Sequence, residues 1–497
     1  MKTRILIPLF LFGAVLTLTA QDTSDKSFRG MVRLNRAPVS NEVLRVKLPV
    51  PVDRTLSNGI KLMVFENHRE PTITLTISIP STSLRDPEGL PGVADATAAM
   101  MRTGTATRTA RQITDALSEI GATVNFGGGG GFGGGRGGAG GGGGDGTTGT
   151  ISVNAMTENF DAALEIMSDM LLHPAFPAAE LERWKTRQAT AIEQGRTNPN
   201  GLANEMLLKV LYPGDPRMNT RPTLDSLKKI TRDDLIAHYK KFYVPSGDLA
   251  GITGDIKPEE AVAKLEKAIG EWKGAAAPKV KLKMNDPIAA KKVYLIDRPN
   301  SVQTYLLLAN RAIDRSDPDY IACQVMNQVL GSGPAARLFR IIREEKGYTY
   351  GISSSFTASN TMQHFSSATP VRTEVTEAAL TDILAEFKEI RDTPVPKAEL
   401  DGAKRSLVGR LAFDVESPAG VLARWMQVRE YDLPADYWDT YPEKVMAITA
   451  ADVQRVAKKY VPLDNVQIIA VGDGSKIKEL LKKFGPLEES SGEGGNF

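Results

Sequence analysis

One unit of this chain is written twice. Ile230-Thr231-Arg232-Asp233-Asp234-Leu235 opens a helix pattern that closes on Lys240-Lys241-Phe242-Tyr243-Val244-Pro245, and a strand pattern follows, ending at Gly254-Asp255. About 218 positions later, Ile448-Thr449-Ala450-Ala451-Asp452-Val453 leads to Lys458-Lys459-Tyr460-Val461-Pro462 and a strand ending at Gly472-Asp473. In both copies a threonine stands where a helix N-cap belongs, aspartate follows near the positive end of the helix dipole, and proline stops the helix. So many matched elements define a duplicated unit. Each copy must then carry its own strands and helices.

The beginnings of the copies agree in kind. Thr55 to Phe65 holds an Asn58-Gly59 hairpin signal before alternating apolar residues, and Thr72 to Ile79 (TITLTISI) alternates with the period of a strand. Gly92 to Met101 is small and apolar, as a buried helix requires. The second copy has strand patterns at Val293–Ile296 and Thr304–Ala309, then a helix pattern from about Pro318 to Leu330. The expected fold class is α+β: two homologous repeats of mixed sheet plus helices, over residues 45–272 and 289–485. The linker is expected near 273–288, where Gly, Ala, Lys and Pro accumulate.

Two segments stand outside this plan. Lys2 and Arg4 precede an apolar run from Ile5 to Leu18, and Thr19-Ala20 offers small residues for cleavage. Residues 1–20 therefore read as a secretory signal peptide cleaved near Ala20, and the chain as an exported, periplasmic one. Residues 127–146 contain sixteen glycines in twenty positions. No Gly-Lys-Ser/Thr follows to make a phosphate loop, and Asp145 alone makes no calcium-binding array. That segment reads as a flexible connection, with a mobile flap over a cleft as the alternative. A formal net charge of +2 gives no support for a nucleic-acid partner, and no second apolar run is long enough for stable membrane insertion. The single cysteine, Cys323, reads as a buried helix residue and cannot form an internal disulfide.

Gly92-Val93-Ala94-Asp95-Ala96-Thr97-Ala98-Ala99-Met100-Met101-Arg102-Thr103-Gly104-Thr105 resembles the signature helix of the insulinase/pitrilysin metallopeptidase family. In that family an inverted zinc motif, His-x-x-Glu-His, stands at this place. Histidines four residues apart share a helical face and reach one metal, and the glutamate between them activates water. Here the matching positions are Asp95, Ala98 and Ala99, and alanine offers neither ligand nor base. The four histidines, His68, His173, His238 and His364, do not lie within a helical turn of one another. The resemblance puts the family's distal glutamate near Glu182 and Glu193, without fixing which residue matches it. This chain is expected to bind no cofactor itself.

A second part of the family pattern is present. Ala336-Arg337-Leu338-Phe339-Arg340-Ile341-Ile342-Arg343-Glu344-Glu345-Lys346-Gly347-Tyr348-Thr349-Tyr350 is similar to the family's C-terminal motif. By that resemblance Arg343 and Tyr350 match an Arg/Tyr pair that completes the active site from across the cleft. The chemistry suits the role: arginine forks two hydrogen bonds onto a carbonyl or carboxylate, and a tyrosine hydroxyl donates to a developing oxyanion. On pattern alone, a solvated helix end with a tyrosine opening the next strand is the competing account. Some assemblies of the family divide the work between a chain with zinc and a chain with the Arg/Tyr pair. The resemblance thus implies half of a clamshell, whose partners are a zinc-bearing insulinase-like subunit and an unfolded peptide that adds a strand to a sheet edge. A scaffold subunit without a proteolytic role, and an independent peptidase with unusual ligands, are the other readings.

Overall fold

The computed structural model describes residues 45–127 and 148–491, apart from 216, 218–219, 246–248, 278–279, 281 and 283–285. The signal-peptide assignment lies outside these residues, as does all but Gly127 of the glycine-rich segment. In the first half the alternation of Thr72–Ile79 makes strand β3, with Ile73, Leu75, Ile77 and Ile79 buried on one face. It pairs with β5 (Gly149–Met156) and β6 (Leu249–Gly254) in a six-stranded sheet that also holds β1 (Val52–Thr55), β2 (Lys61–Glu66) and β4 (Thr123–Gly127). The order is β1-β2-β6-β3-β5-β4, with β2 and β6 parallel and the other pairs antiparallel.

The second half repeats this arrangement. Its strands are β7 (Lys292–Asp297), β8 (Gln303–Arg311), β9 (Ser353–Ala358), β10 (Gln363–Arg372), β11 (Gln467–Gly472) and β12 (Leu487–Ser491), in the order β12-β7-β11-β8-β10-β9. Strand β7 lies parallel to β11 as β2 does to β6. The edge beyond it is filled differently, by β12 from the end of the second half rather than by a strand from its start. The fold is α+β in two like halves, as the sequence duplication requires.

Helices cover the sheets in matching succession. The first half has α1 (Val93–Met100), α2 (Ala110–Glu119), α3 (Phe160–Leu172), α4 (Ala178–Arg196), α5 (Pro199–Leu211), α6 (Leu224–Lys229), α7 (Arg232–Phe242) and α8 (Pro258–Ile269). The second has α9 (Tyr320–Leu330), α10 (Thr376–Asp392), α11 (Lys397–Asp414), α12 (Pro418–Glu430), α13 (Tyr437–Ala447), α14 (Ala450–Tyr460) and α15 (Gly474–Leu481). Where α2 stands in the first half, the second has a π-helical turn over Phe339–Glu345. The repeated threonines do cap: Thr231 accepts from the Asp234 N–H and Thr449 from the Asp452 N–H, and each aspartate answers the threonine's own N–H. Each such box contributes about 1 kcal/mol to its helix.

The halves are joined by an exchange of helices. Helix α5 of the first half packs on the second sheet, with Leu207, Leu208 and Leu211 against Leu307, Ile469 and Val471. Helix α12 of the second half lies on β6, so close that a Cβ on Gly251 would stand 2.8 Å from Leu422 Cδ1. Trp425 Nε1 donates to the Pro49 carbonyl at 2.9 Å, and the Leu48 N–H donates to Asp439 Oδ1 at 2.9 Å. The buried Arg217 pairs with Asp215 at 2.6 Å and donates to the Thr361 carbonyl at 3.0 Å. Each half thus supplies core to the other.

One feature differs from the sequence expectation and one from the competing account of the Arg/Tyr motif. Strand β4 stands between α2 and the glycine-rich segment, and its pairing with β5 runs out to Gly127 opposite Thr150. The glycines therefore follow the outer end of a hairpin whose first strand, Thr123 to Gly127, is too short and polar to announce itself. Tyr350 opens no strand, because β9 begins at Ser353.

Candidate functional site

Helix α1 carries the positions of the lost motif. Asp86 fixes its start, accepting from the Gly92 N–H and the Ala94 N–H at 2.7 Å each. Burial pushes the Asp86 carboxyl up to about 7, against the lowering effect of those two bonds, and the nearby Asp95 adds to the rise. Val93, Ala94, Ala96, Thr97, Ala98 and Met100 are buried, and the helix packs against α7 and α4. Asp95, Ala98 and Ala99 follow one another at the spacing that puts three side chains on one helical face. Burial raises the Asp95 carboxyl to about 6. Ala98, where the water-activating glutamate would stand, is only 4% exposed and presents a methyl group.

The groups that could make up the deficit are engaged elsewhere. Glu182 binds Lys185 at 2.9 Å and Glu193 binds Arg196 at 2.9 Å, both on the exposed side of α4. His68 lies between Asp255 and Glu66 at 2.5 and 2.6 Å. His173 stands 3.4 Å from Asp169, His238 bonds Ser81 at 3.0 Å, and His364 lies buried 3.5 Å from the Tyr212 hydroxyl. Burial lowers both His238 and His364 to about 4, so each is neutral at pH 7. Among the described residues no three His, Cys, Asp or Glu side chains converge as a metal-ligand set. The side chains of α1 do not fit a catalytic zinc. Cys323 is buried in α9, and burial pushes its thiol up, away from reactivity.

Arg343 and Tyr350 are brought together. The π-helical turn seats Leu338 and Ile342 in the core and closes with the Lys346 N–H on the Ile341 carbonyl at 3.0 Å. Its start is anchored by Arg337, which forks onto Glu399 at 2.8 and 2.7 Å, and its end by Arg372 on the Gly347 carbonyl at 2.8 Å. The Arg343 guanidinium carbon lies 4.5 Å from the Phe339 ring centre and 4.9 Å from that of Tyr350. Tyr350 is 88% exposed. Phe339 is the member that sequence reasoning missed. Its one signal was its place four residues before Arg343, where helical side chains meet.

Residues 229–407, which include this turn, match the family model described as "Peptidase M16 inactive domain". The chain is 23% identical to "Uncharacterized zinc protease YmxG" of Bacillus subtilis, over 74% of this chain and 86% of that protein. It is 24% identical to "Non-peptidase homolog YmxG" of Helicobacter pylori, over 66% of this chain and 76% of that one. Among solved structures, the peptidase M16 inactive domain from Pseudomonas fluorescens matches with a TM-score of 0.74 and 27% identity, over 85% of this chain and 98% of that one. A Helicobacter pylori protease shares the fold at a TM-score of 0.74 and 15% identity, over 86% of this chain and 100% of that one. With alanines at the zinc-motif positions of α1 and a family-model match across the Arg/Tyr turn, the chain is similar, in fold and over most of its length, to the non-peptidase and inactive-domain proteins of the insulinase (M16) peptidase family.

Proposed function

We propose that this chain is the peptide-binding, non-catalytic subunit of an exported insulinase-family zinc peptidase, and that it completes the active site of a zinc-bearing partner with Arg343 and Tyr350. The observation that carries the reading is an asymmetry of loss. Asp95, Ala98 and Ala99 no longer supply a metal site, while Arg343 and Tyr350 stand side by side with the tyrosine exposed. A chain kept only as scaffold gains nothing from an exposed tyrosine beside an arginine. In this reading the zinc belongs to the partner, a chain of the same two-repeat kind with an intact His-x-x-Glu-His helix. Arg343 holds the peptide, and the Tyr350 hydroxyl donates to the oxygen that gains charge in the transition state. Residues 1–20 take the chain out of the cytoplasm, which cell fractionation checks directly. The division of labour is tested by purifying the mature chain alone and with its zinc-bearing partner. Alone it should hold less than stoichiometric zinc and cleave no peptide, and the pair should cleave. One tightly held zinc per chain, or hydrolysis by the chain alone, would refute the proposal.

A further inference from the structure

The cations around the π-helical turn are satisfied, with one exception. Arg337 binds Glu399, Arg340 binds Glu345 at 2.5 Å, Arg372 binds the Gly347 carbonyl, and Lys346 lies 3.8 Å from Asp382. The Arg343 guanidinium makes no hydrogen bond or ion pair among the described residues. What holds it is aromatic: Phe339 from four positions earlier and Tyr350 from the following loop, with ring centres 4.5 and 4.9 Å from the guanidinium carbon. Ring contact of this kind favours the cation and limits its rotation, yet uses none of its N–H donors. A guanidinium held by two rings, with no protein partner for its donors among the described residues, can meet a ligand with two adjacent oxygens.

We infer that Phe339, Arg343 and Tyr350 form a receptor for a carboxylate of the bound peptide, with Phe339 as the positioning residue. The inference rests on the peptide-binding reading above and names what the site recognises. A planar guanidinium meets a carboxylate through two parallel N–H···O bonds, both charge-assisted, whereas a neutral carbonyl offers a single oxygen. Tyr350 serves this receptor with its ring, which holds the guanidinium, and leaves its one hydroxyl donor for the transition state. No internal carboxylate has to be displaced first, so the site accepts an anion without breaking an ion pair. Lysine at position 343 would keep the charge and lose the fork. Leucine at 339 would keep apolar volume and lose the ring.

The test is calorimetric titration of the purified mature chain with one unstructured ten-residue peptide in three forms: free acid, C-terminal amide, and amide with one internal glutamate. The free acid should bind about tenfold or more tightly than the plain amide. Affinity for the glutamate-bearing amide close to that of the acid would identify a receptor for peptide carboxylates at large. Affinity close to that of the plain amide would confine it to the chain end. Arg343→Lys should bring the acid-to-amide ratio near one. Phe339→Leu should weaken acid binding with little change in melting temperature, and Phe339→Trp should restore it. Equal affinity for acid and amide, or no binding of any form, would overturn the carboxylate receptor. Either result would leave completion of a partner's site to be judged by turnover of the pair. An unchanged acid affinity in Phe339→Leu would overturn the role of Phe339.

Discussion

A carboxyl with no ion-pair partner among the described residues is costly inside a helix interface, and Asp95 shows that cost in its proton affinity. Its pKa is raised to about 6 from an ordinary 3.8. The folded state therefore keeps a proton between about pH 4 and 6 that the unfolded chain has released, so its contribution to stability falls as pH rises through that window. Asp86 acts in the same sense up to about 7. His238 and His364, lowered to about 4, act in the opposite sense and cost stability as pH falls below the ordinary histidine range. Asp95→Asn should therefore raise stability by roughly 1–3 kcal/mol at pH 8 and leave it nearly unchanged near pH 4, measured by urea unfolding at the two pH values. A gain of equal size at both would contradict the burial argument. At this scale the resemblance to the family's signature helix marked Asp95, Ala98 and Ala99, and helical spacing then aligns them on one face. Phe339 was not readable as part of the site, because an i, i+4 aromatic-arginine pair on a helix is ordinary until the loop delivers Tyr350 to the same guanidinium.

The duplicated turns show how one motif can meet two different demands. Gly254 ends β6 with φ at +132°, and a Cβ there would lie 2.0 Å from the Thr72 carbonyl oxygen. Gly472 ends β11 with side-chain atoms nearest, at 2.9 Å (Thr304 Oγ1) and 3.0 Å (Ile477 Cδ1). Gly254→Ala should cost several kcal/mol, on the order of 3 or more, since both backbone conformation and a carbonyl must give way. Gly472→Ala should cost less, because side chains can turn aside; equal losses in denaturant titrations would contradict this. The glycine-rich segment belongs to this scale too. Its flanking strands are paired out to Gly127 and Thr150, so a short Gly-Ser turn in place of 127–146 should change the melting temperature little. A large drop in melting temperature would mean that the segment contributes to packing. Elements with strong local signals were legible: the capped helices beginning at Arg232 and Ala450, and the alternating strand at Thr72–Ile79. Strand β4 and the π-helical turn were not, because pairing to β5 and the seating of Leu338 and Ile342 decide them.

At the scale of the whole molecule, the exchange of α5 and α12 makes the halves interdependent. No periodicity could reveal it, since an apolar helix face does not state which sheet it covers. Leu207→Ala, at the α5 contact with the second sheet, should cost about 2–5 kcal/mol. The two halves expressed separately should be poorly soluble and should recover when expressed together; a well-folded isolated half would show that the exchanged helices are dispensable. A joint of this kind suits the proposed role, in which Arg343 and Tyr350 are held in place for another chain. That claim is tested most directly by peptide hydrolysis in the reconstituted pair, with the zinc-bearing chain constant and Tyr350→Phe in this one. The substitution removes one exposed hydroxyl and little packing. Turnover should fall by on the order of 10²-fold, with subunit association and melting temperature unchanged. Full turnover from the Tyr350→Phe pair would contradict the account and leave this chain a scaffold.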